Sequence, residues 1–350
     1  MGGSEEGSAL RLRLGRCASI LALRLNSPDE GSYREVLPGV FLIVLPLPFT
    51  LGSINVYLVR LSRGYLLVDC GMDTDECFEA LWLAMAAQGA AWHDIHEILL
   101  THVHPDHMGM APRLLKLTGA RLLLHSHDAE YLDVLAQSER YRAWAGEVLR
   151  RAGVTPDLIS KIDKGATEIH KSFQRLHPDC LLSGGEKIQA AAGELEVLWT
   201  PGHSPGHVCL YGRERRVLFS GDQMLELISP NIGWQPERDP LSEYLSSLRV
   251  LARLEIDLIL PSHGAPFSGH RAWIQRTVEH HEERCNRILV LLEGAPKNAA
   301  TLVDQLWDRP LEPFHYRFAV FEVLAHLEYL ERQNRVTQRE QDGVVLWRAS

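Results

Sequence analysis

The stretch LLTHVHPDHMGM, residues 99–110, places three histidines and one aspartate within six positions, directly behind an apolar run. The four residues are His102, His104, Asp106 and His107. Imidazole and carboxylate groups on a tight turn can converge on one point, and imidazole is a favoured ligand of zinc and of iron. The spacing therefore predicts a metal site. The alternative is a polar loop that is merely rich in histidine.

Three later segments each carry a potential ligand just after a strand-like run. TPGHSPGH places His203 in a Gly/Pro turn, FSGDQ contains Asp222, and LPSHGAP contains His263. Loops that follow strands commonly converge into functional sites. Each segment is a weak signal alone, but together with the first cluster they predict one shared site.

The elements that must position these residues fall into two series of short apolar strand patterns, with helical patterns between and after them. The strand patterns cover 39–47, 54–61, 64–71, 96–102 and 120–125 in the first series, and 195–200, 206–212, 215–222 and 257–264 in the second. The helical patterns cover 74–89, with Thr74 as N-cap and Gly89 as stop, and 108–117, 240–254 and 270–293. This order predicts an α+β chain in which two sheets pack face to face and are flanked by helices.

Three parts are expected along the chain. Residues 1–35 are interpreted as an N-terminal arm and 36–293 as the catalytic domain, and EGAPKNA at 293–299 is the linker candidate. Within the catalytic domain, 127–178 is mostly helical in pattern and forms either a lid or an exterior layer. Residues 299–350 read as helix, helix and glycine-turned hairpin, which predicts a small winged-helix domain.

The composition is that of an ordinary globular protein of 350 residues, with 45% hydrophobic and 23% charged residues. Its net charge of −9 argues against a protein that mainly grips nucleic acid, because such proteins are basic. Six cysteines are scattered without a C-x-x-C pair, which is typical of thiols in a reducing compartment. The sequence shows neither a signal-peptide pattern nor an apolar run of about 18 residues, so we expect a cytoplasmic protein with no membrane partner.

Over roughly residues 36–285 the sequence resembles the metallo-β-lactamase superfamily. The H-x-H-x-D-H motif reads here as residues 102–107, and His203, Asp222 and His263 stand where the family has its later ligands. The segment LLVDCG resembles an early family element and places Asp69 there. The resemblance implies a four-layer αββα sandwich with two divalent metal ions at one edge. Zinc is the expected metal, and iron and manganese are the alternatives.

The resemblance also implies a division of the ligands. His102, His104 and His203 would hold the first metal, Asp106, His107 and His263 the second, and Asp222 would bridge the two. Two metals about 3.5–4 Å apart can hold a bridging water and lower its pKa towards neutrality. Asp106 is the expected catalytic residue, because it can orient that water and pass a proton to the leaving group. Asp69 is expected to orient a ligand histidine, and His207 either does the same or is merely structural.

The acid at position 222 separates this sequence from the true zinc β-lactamases. In the family pattern, those enzymes have Cys or Ser at the matching position. The favoured reaction is hydrolysis of a small-molecule ester, lactone or thioester, and Asn231 and Trp234 are expected to line the substrate pocket. A phosphodiesterase or ribonuclease is the alternative, followed by an iron-dependent dioxygenase. Nucleic acid is not the favoured partner because the long C-terminal helix carries Glu322, Glu328 and Glu331, which suit packing, dimerisation or a solvated face. A homodimer is left open.

Overall fold

A computed structural model describes residues 33–48, 52–170, 173–226 and 229–350. Most of the predicted N-terminal arm lies outside the described residues. Residues 33–35, which the sequence placed at the end of the arm, begin the first strand. Tyr33 and Arg34 pair with Ile43 and Leu42 of the second strand in antiparallel register.

The first sheet has seven strands in the order β1 to β7. Its strands are β1 Tyr33–Leu37, β2 Val40–Pro46, β3 Ser53–Arg60, β4 Tyr65–Val68, β5 Ile95–Leu99, β6 Arg121–His125 and β7 Cys180–Leu182. The strands β1 to β4 pair antiparallel, whereas β4 to β7 are parallel. Parallel neighbours end at the same edge of the sheet, so the loops after β4, β5 and β6 leave side by side.

The second sheet has five strands in the order β12-β11-β10-β9-β8. Its strands are β8 Lys187–Ala190, β9 Gly193–Trp199, β10 Val208–Gly212, β11 Val217–Gly221 and β12 Leu258–Pro261. The pair β11 and β12 is parallel, and the other pairs are antiparallel. The sequence did not predict β7 and β8, which are three and four residues long and too short to show an alternating pattern.

The helices occupy most of the predicted segments. They are α1 Asp75–Ala87, α2 Pro105–Met108, α3 Ala111–Thr118, α4 Ser126–Leu135, α5 Ser138–Arg151, α6 Pro156–His170, α7 Pro240–Ala252, α8 His270–Leu292, α9 Ala299–Leu306 and α10 Pro313–Arg332. Thr74 caps α1 as predicted, since its side chain accepts a hydrogen bond from the Cys77 backbone N–H at 3.1 Å. The helix predicted at 108–117 is instead α2 and α3, which are separated at Gly109.

The core confirms the four-layer αββα arrangement. Successive residues of a strand point to opposite faces, so Leu42 packs between the sheets while Ile43 packs under the helices outside the first sheet. In the second sheet, Phe219 faces the inter-sheet core and Leu218 faces the helices outside it. Tyr57 meets Phe219 edge-on across the two sheets, with ring centroids 5.2 Å apart.

The C-terminal part of the chain shares its core with the catalytic part. Helices α9 and α10 precede a hairpin made of β13 Val336–Gln341 and β14 Val344–Ala349. Buried side chains of α7 and α8, such as Tyr244 and Ile288, belong to one apolar cluster with Val320 and Leu327 of α10. Lys297, in the predicted linker, exchanges two backbone hydrogen bonds of 2.8 Å with Trp347. The stretch 293–299 is therefore paired to the hairpin rather than a free linker, and the winged-helix assignment stays a prediction.

The helical segment 127–178 also contributes to this core. Ala145 and Leu149 of α5 and Ile162 of α6 are buried in the same cluster, and the residues from 173 to 179 are not helical. A role as a lid stays a prediction. Among the described residues, none of the helices combines the length and apolar character needed to cross a bilayer.

Candidate metal centre

The seven predicted ligands lie together at the carboxyl ends of strands from both sheets. The motif at 102–107 follows β5, and His203, Asp222 and His263 follow β9, β11 and β12. Gly109, just after the motif, has no room for a side chain, because a Cβ there would lie 2.5 Å from the Pro105 carbonyl oxygen. This close approach keeps the turn compact. The structure thus assembles all seven predicted residues.

The first group contains His102, His104, His203 and Asp222, whose candidate donor atoms lie within 4.8 Å of one another. His104 Nδ1 is 2.9 Å from His102 Nε2 and 3.0 Å from His203 Nε2. Asp222 Oδ2 is 3.4 Å from His203 Nε2. Three imidazole nitrogens and one carboxylate oxygen are a donor set suited to a divalent metal such as zinc.

The second group contains Asp106, His107 and His263, with donor atoms again within 4.8 Å of one another. Asp106 Oδ2 is 3.2 Å from His263 Nε2 and 3.7 Å from His107 Nε2. Asp222 turns its other oxygen to this group, with Oδ1 at 3.5 Å from His107 Nε2 and 3.6 Å from His263 Nε2. Asp222 therefore lies between the two groups and presents one oxygen to each.

The outer nitrogens of three histidines donate to acceptors that fix their tautomers. His107 Nδ1 lies 2.8 Å from Asp69 Oδ2, His203 Nδ1 lies 2.9 Å from the Asn231 carbonyl, and His263 Nδ1 lies 2.9 Å from the Ser53 carbonyl. Because carboxylates and carbonyls only accept, each Nδ1 carries the proton. The Nε2 of each ring is then directed into the site, and it carries a lone pair when the ring is neutral.

Asp69 holds this side of the site in the way the sequence predicted. Its carboxylate accepts from the Thr101 backbone N–H and hydroxyl, each at 2.8 Å, in addition to His107. The Thr101 hydroxyl in turn lies 3.0 Å from His102 Nδ1. One buried carboxylate thus orients a histidine from each group, which is the usual role of such an outer partner. Its backbone has a φ of 57°, a region that Asp tolerates better than most residues.

His207 does not point its ring nitrogens into either group. Its Nε2 accepts the Asp222 backbone N–H at 3.1 Å, and its Nδ1 lies 2.9 Å from the Thr200 hydroxyl. The ring is completely buried, and burial together with the neighbouring His203 holds its pKa well below the ordinary value. His207 is therefore a neutral ring that holds the backbone of Asp222, the aspartate between the two groups.

Asp128 is a buried carboxylate beside the site that the sequence interpretation missed. It is completely buried, and its carboxylate accepts from Val103 N–H at 3.0 Å, Ser204 Oγ at 2.9 Å and Gly206 N–H at 2.6 Å. Burial raises its pKa to about 6, against the lowering effect of these hydrogen bonds. Asp128 ties the loop of the H-x-H-x-D-H motif to the loop of His203. The sequence signal that could have identified Asp128 is its position just after β6, since the other acids and histidines of the site also follow strands.

The site fits divalent metals on two independent observations. His107 Nε2, His263 Nε2 and Asp222 Oδ1 are buried and have no hydrogen-bond partner among the described residues, which leaves their lone pairs for a metal. In the first group the protonation states also suit ligation. Burial lowers the pKa of His104 to about 3, and neighbouring histidines outweigh burial to hold the pKa of Asp222 well below its ordinary value.

The histidines of the second group must release protons when a metal binds. Burial lowers the pKa of His107, but Asp69, Asp106 and Asp222 outweigh it and raise the pKa well above the ordinary value. The pKa of His263 is raised in the same way by Asp222 and Asp106. Metal binding to such a group displaces protons.

Comparison with known families assigns both parts of the chain. The model of the metallo-beta-lactamase superfamily matches residues 49–263, a stretch that contains all seven predicted ligands. A second model, described as the metallo-beta-lactamase-like C-terminal domain, matches residues 285–350.

Individual relatives agree with these matches. A crystal structure of a metallo-beta-lactamase family protein from Thermus thermophilus superposes with a TM-score of 0.77 and 32% identity, covering 90% of this chain and all of the other. A probable metallo-hydrolase of Bacillus subtilis is 26% identical over 322 residues, which is 88% of this chain and 97% of the relative. An acyl-coenzyme A thioesterase of chicken is 28% identical over 228 residues, covering 63% of this chain and 75% of the relative.

Proposed function

This chain belongs to the metallo-beta-lactamase superfamily, and from that premise we propose that it is a dinuclear zinc hydrolase of a small-molecule acyl thioester. The position of Asp222 carries the proposal of two metals, because its two oxygens face different groups of ligands. The name of the chicken relative, an acyl-coenzyme A thioesterase, supports an acyl thioester as the substrate class. The family and the His/Asp centre make the chain a metal-dependent hydrolase; the number and identity of the metals and the substrate are proposals.

The residues of the site have distinct roles in this reaction. His102, His104 and His203 would hold one ion, and Asp106, His107 and His263 the other. Bound divalent ions supply Lewis-acid polarisation of the acyl carbonyl and lower the pKa of a water from about 15.7 towards about 7. Asp222 lowers the net charge of the centre and keeps its two halves together.

Asp106 is the carboxylate placed to act on the nucleophile. Its side chain is 17% exposed, compared with 11% for Asp222, so it is the more accessible of the two. Burial raises its pKa, but His107 and His263 outweigh burial and hold the pKa well below the ordinary value. An ionised Asp106 accepts a hydrogen bond from an attacking water and orients it towards the acyl carbon.

A thioester also needs less help from a proton donor than an ester or a lactone does. In thioester hydrolysis water adds to the acyl carbon, the C–S bond breaks, and sulfur leaves as a thiolate. The acyl group becomes a carboxylic acid, and the other proton of the water passes to solvent. Thiols ionise near pH 8.5, so the thiolate leaves without a strong proton donor. An alkoxide is far more basic and needs a proton as it leaves.

A hydrolysis panel on the purified, zinc-loaded chain tests the proposal. The substrates are an acyl-coenzyme A thioester followed by release of free thiol, a lactone, an activated phosphodiester and a short RNA. Asp222→Ala is the control, and metal content is measured by mass spectrometry on the same samples. We expect thioester cleavage that Asp222→Ala abolishes, with two equivalents of zinc per chain, as in two-metal hydrolase sites.

The other outcomes identify the alternatives. Cleavage of the phosphodiester or RNA without thioester cleavage would replace the proposal with a phosphodiesterase or nuclease. Iron binding with no hydrolysis of any of the four substrates would favour a dioxygenase. The cytoplasmic location stays a prediction, and nucleic acid stays a partner that is not favoured. The homodimer that the sequence left open is checked directly by size-exclusion chromatography with light scattering.

A further inference from the structure

The loop 229–234 lies between the metal centre and α10, and the path of its backbone depends on the C-terminal part of the chain. Trp234 N–H donates to the Phe321 carbonyl of α10 at 3.0 Å. The Trp144 ring of α5 stacks on Trp234, with centroids 6.3 Å apart, and meets Phe321 at 6.0 Å. The loop has no regular secondary structure, so these contacts determine where its backbone lies.

Asn231, within this loop, contacts the metal centre and α10 at the same time. Its carbonyl accepts the hydrogen bond from His203 Nδ1 at 2.9 Å. Its side-chain amide donates to Glu322 Oε2 at 3.4 Å and to the Phe318 carbonyl at 3.5 Å. One residue therefore connects a predicted metal ligand with two residues on one turn of α10.

Glu322 faces inward, as in the packing role, which is one of the three roles that the sequence left open for the acidic residues of this helix. Its side chain is 18% exposed, and its Oε1 lies 3.7 Å from Arg284 Nη1 of α8. The Arg284 guanidinium is itself held over the Trp307 ring, 4.4 Å from the centroid. The carboxylate is thus fixed from one side by a buried cation and offers its other oxygen to Asn231.

His203 differs from the other oriented histidines in where its partner comes from. His107 is held by Asp69 and His263 by Ser53, and both partners belong to the first sheet or the loop directly after one of its strands. His203 is held by a loop whose own anchors lie on α10. The orientation of one metal ligand therefore depends on the part of the chain that matches the C-terminal family domain.

We propose that Glu322 and Asn231 are positioning residues for the metal centre: α10, through Glu322 and the Asn231 amide, fixes the carbonyl that orients His203. The C-terminal domain is then part of the metal site and not an independent appendix. The inference rests on the metal-binding part of the proposed function and does not depend on the substrate.

The test measures zinc affinity by competition with a chromophoric chelator, resolved into two binding steps, for the full-length chain. The variants are Glu322→Ala, Asn231→Ala and the double variant. Glu322→Gln keeps an acceptor for the Asn231 amide, and Val323→Ala truncates a completely buried neighbour on the same helix that lies outside the contact. Thermal unfolding of each metal-free variant reports folding separately.

We expect Glu322→Ala to weaken one of the two binding steps by up to about 10-fold, the lower end of the loss seen when a direct outer partner of a ligand is removed, because the Asn231 carbonyl itself remains. The other binding step should be unchanged, and Glu322→Gln should restore most of the lost zinc affinity. Asn231 and Glu322 act through one contact. The double variant should therefore lose no more zinc affinity than the single variant with the larger loss. The d–d absorption of the cobalt-substituted chain should change in Glu322→Ala and not in Val323→Ala.

Two results overturn the inference: a Glu322→Ala variant that binds both metals like wild type, or losses that add independently in the double variant. A loss in both binding steps that Val323→Ala shares also overturns it, because the effect is then one of folding. A wild-type chain that binds no zinc, iron or manganese would instead overturn the proposed function on which the inference rests.

Discussion

Replacing His207 separates its two predicted roles, a structural ring or an orienting partner of the metal site. In the structure its Nε2 is the acceptor for the Asp222 backbone N–H, in a completely buried position. His207→Ala leaves this N–H without an acceptor, which costs about 1–3 kcal/mol. The lost imidazole also leaves a cavity, which adds an amount that depends on how far the site relaxes. His207→Gln places an amide oxygen near the former Nε2 and should recover most of the hydrogen-bond term.

The consequence for the metal site is a displaced Asp222. Since its two oxygens each face one ligand group, a shift of its backbone disturbs both groups together. We therefore expect His207→Ala to weaken zinc binding in both steps by about 10–100-fold. His207→Gln should remain close to wild type in both steps.

Guanidinium unfolding of the metal-free protein and chelator competition measure the two effects separately. His93→Ala is the matched control, because that side chain is 83% exposed and its loss should change stability by less than about 0.5 kcal/mol. If His207→Ala loses stability but binds both zinc ions like wild type, His207 is only structural and the reasoning about Asp222 is refuted. If His207→Ala loses neither stability nor zinc affinity, the hydrogen bond from the Asp222 N–H to His207 has no energetic role.

Three further predictions follow from the same contacts. Asp222→Ala should bind at most one zinc per chain in mass spectrometry, because Asp222 is the one carboxylate of the described residues that faces both groups. Removing zinc by dialysis against a chelator should lower the free energy of unfolding by about 2.7 kcal/mol per site, relative to metal at 100 times its Kd; an unchanged Tm would count against a metal site. His326 is buried, and its Nε2 lies 3.1 Å from His281 Nδ1. Burial lowers the pKa of His326 to about 4. The unfolded chain therefore takes up a proton below pH 6.5 that the native chain does not. Wild type should lose about 2 kcal/mol of stability from this group between pH 7 and pH 5, and His326→Gln should lose correspondingly less in pH-dependent unfolding.

The sequence by itself determined which side chains carry the chemistry and roughly where they occur along the strands. His102, Asp222 and His263 follow apolar runs whose period identifies them as strands, and residue type alone decides which atoms can bind a metal. Thr74 as a helix cap was predictable for the same local reason, since the contact spans three residues. Strands β7 and β8 were not predicted, because they are too short to show a recognisable period.

The tertiary structure decided which groups hold those side chains in place. Asp128 reaches Gly206 across 78 positions of sequence, and Asn231 reaches Glu322 across 91. Contacts at such separations depend on how the two sheets and the C-terminal helices pack, and packing leaves no periodic signal in the chain. The same holds for Asp222: its residue type marks it as a ligand, but only the folded arrangement of β5, β9, β11 and β12 places its two oxygens between two groups of histidines.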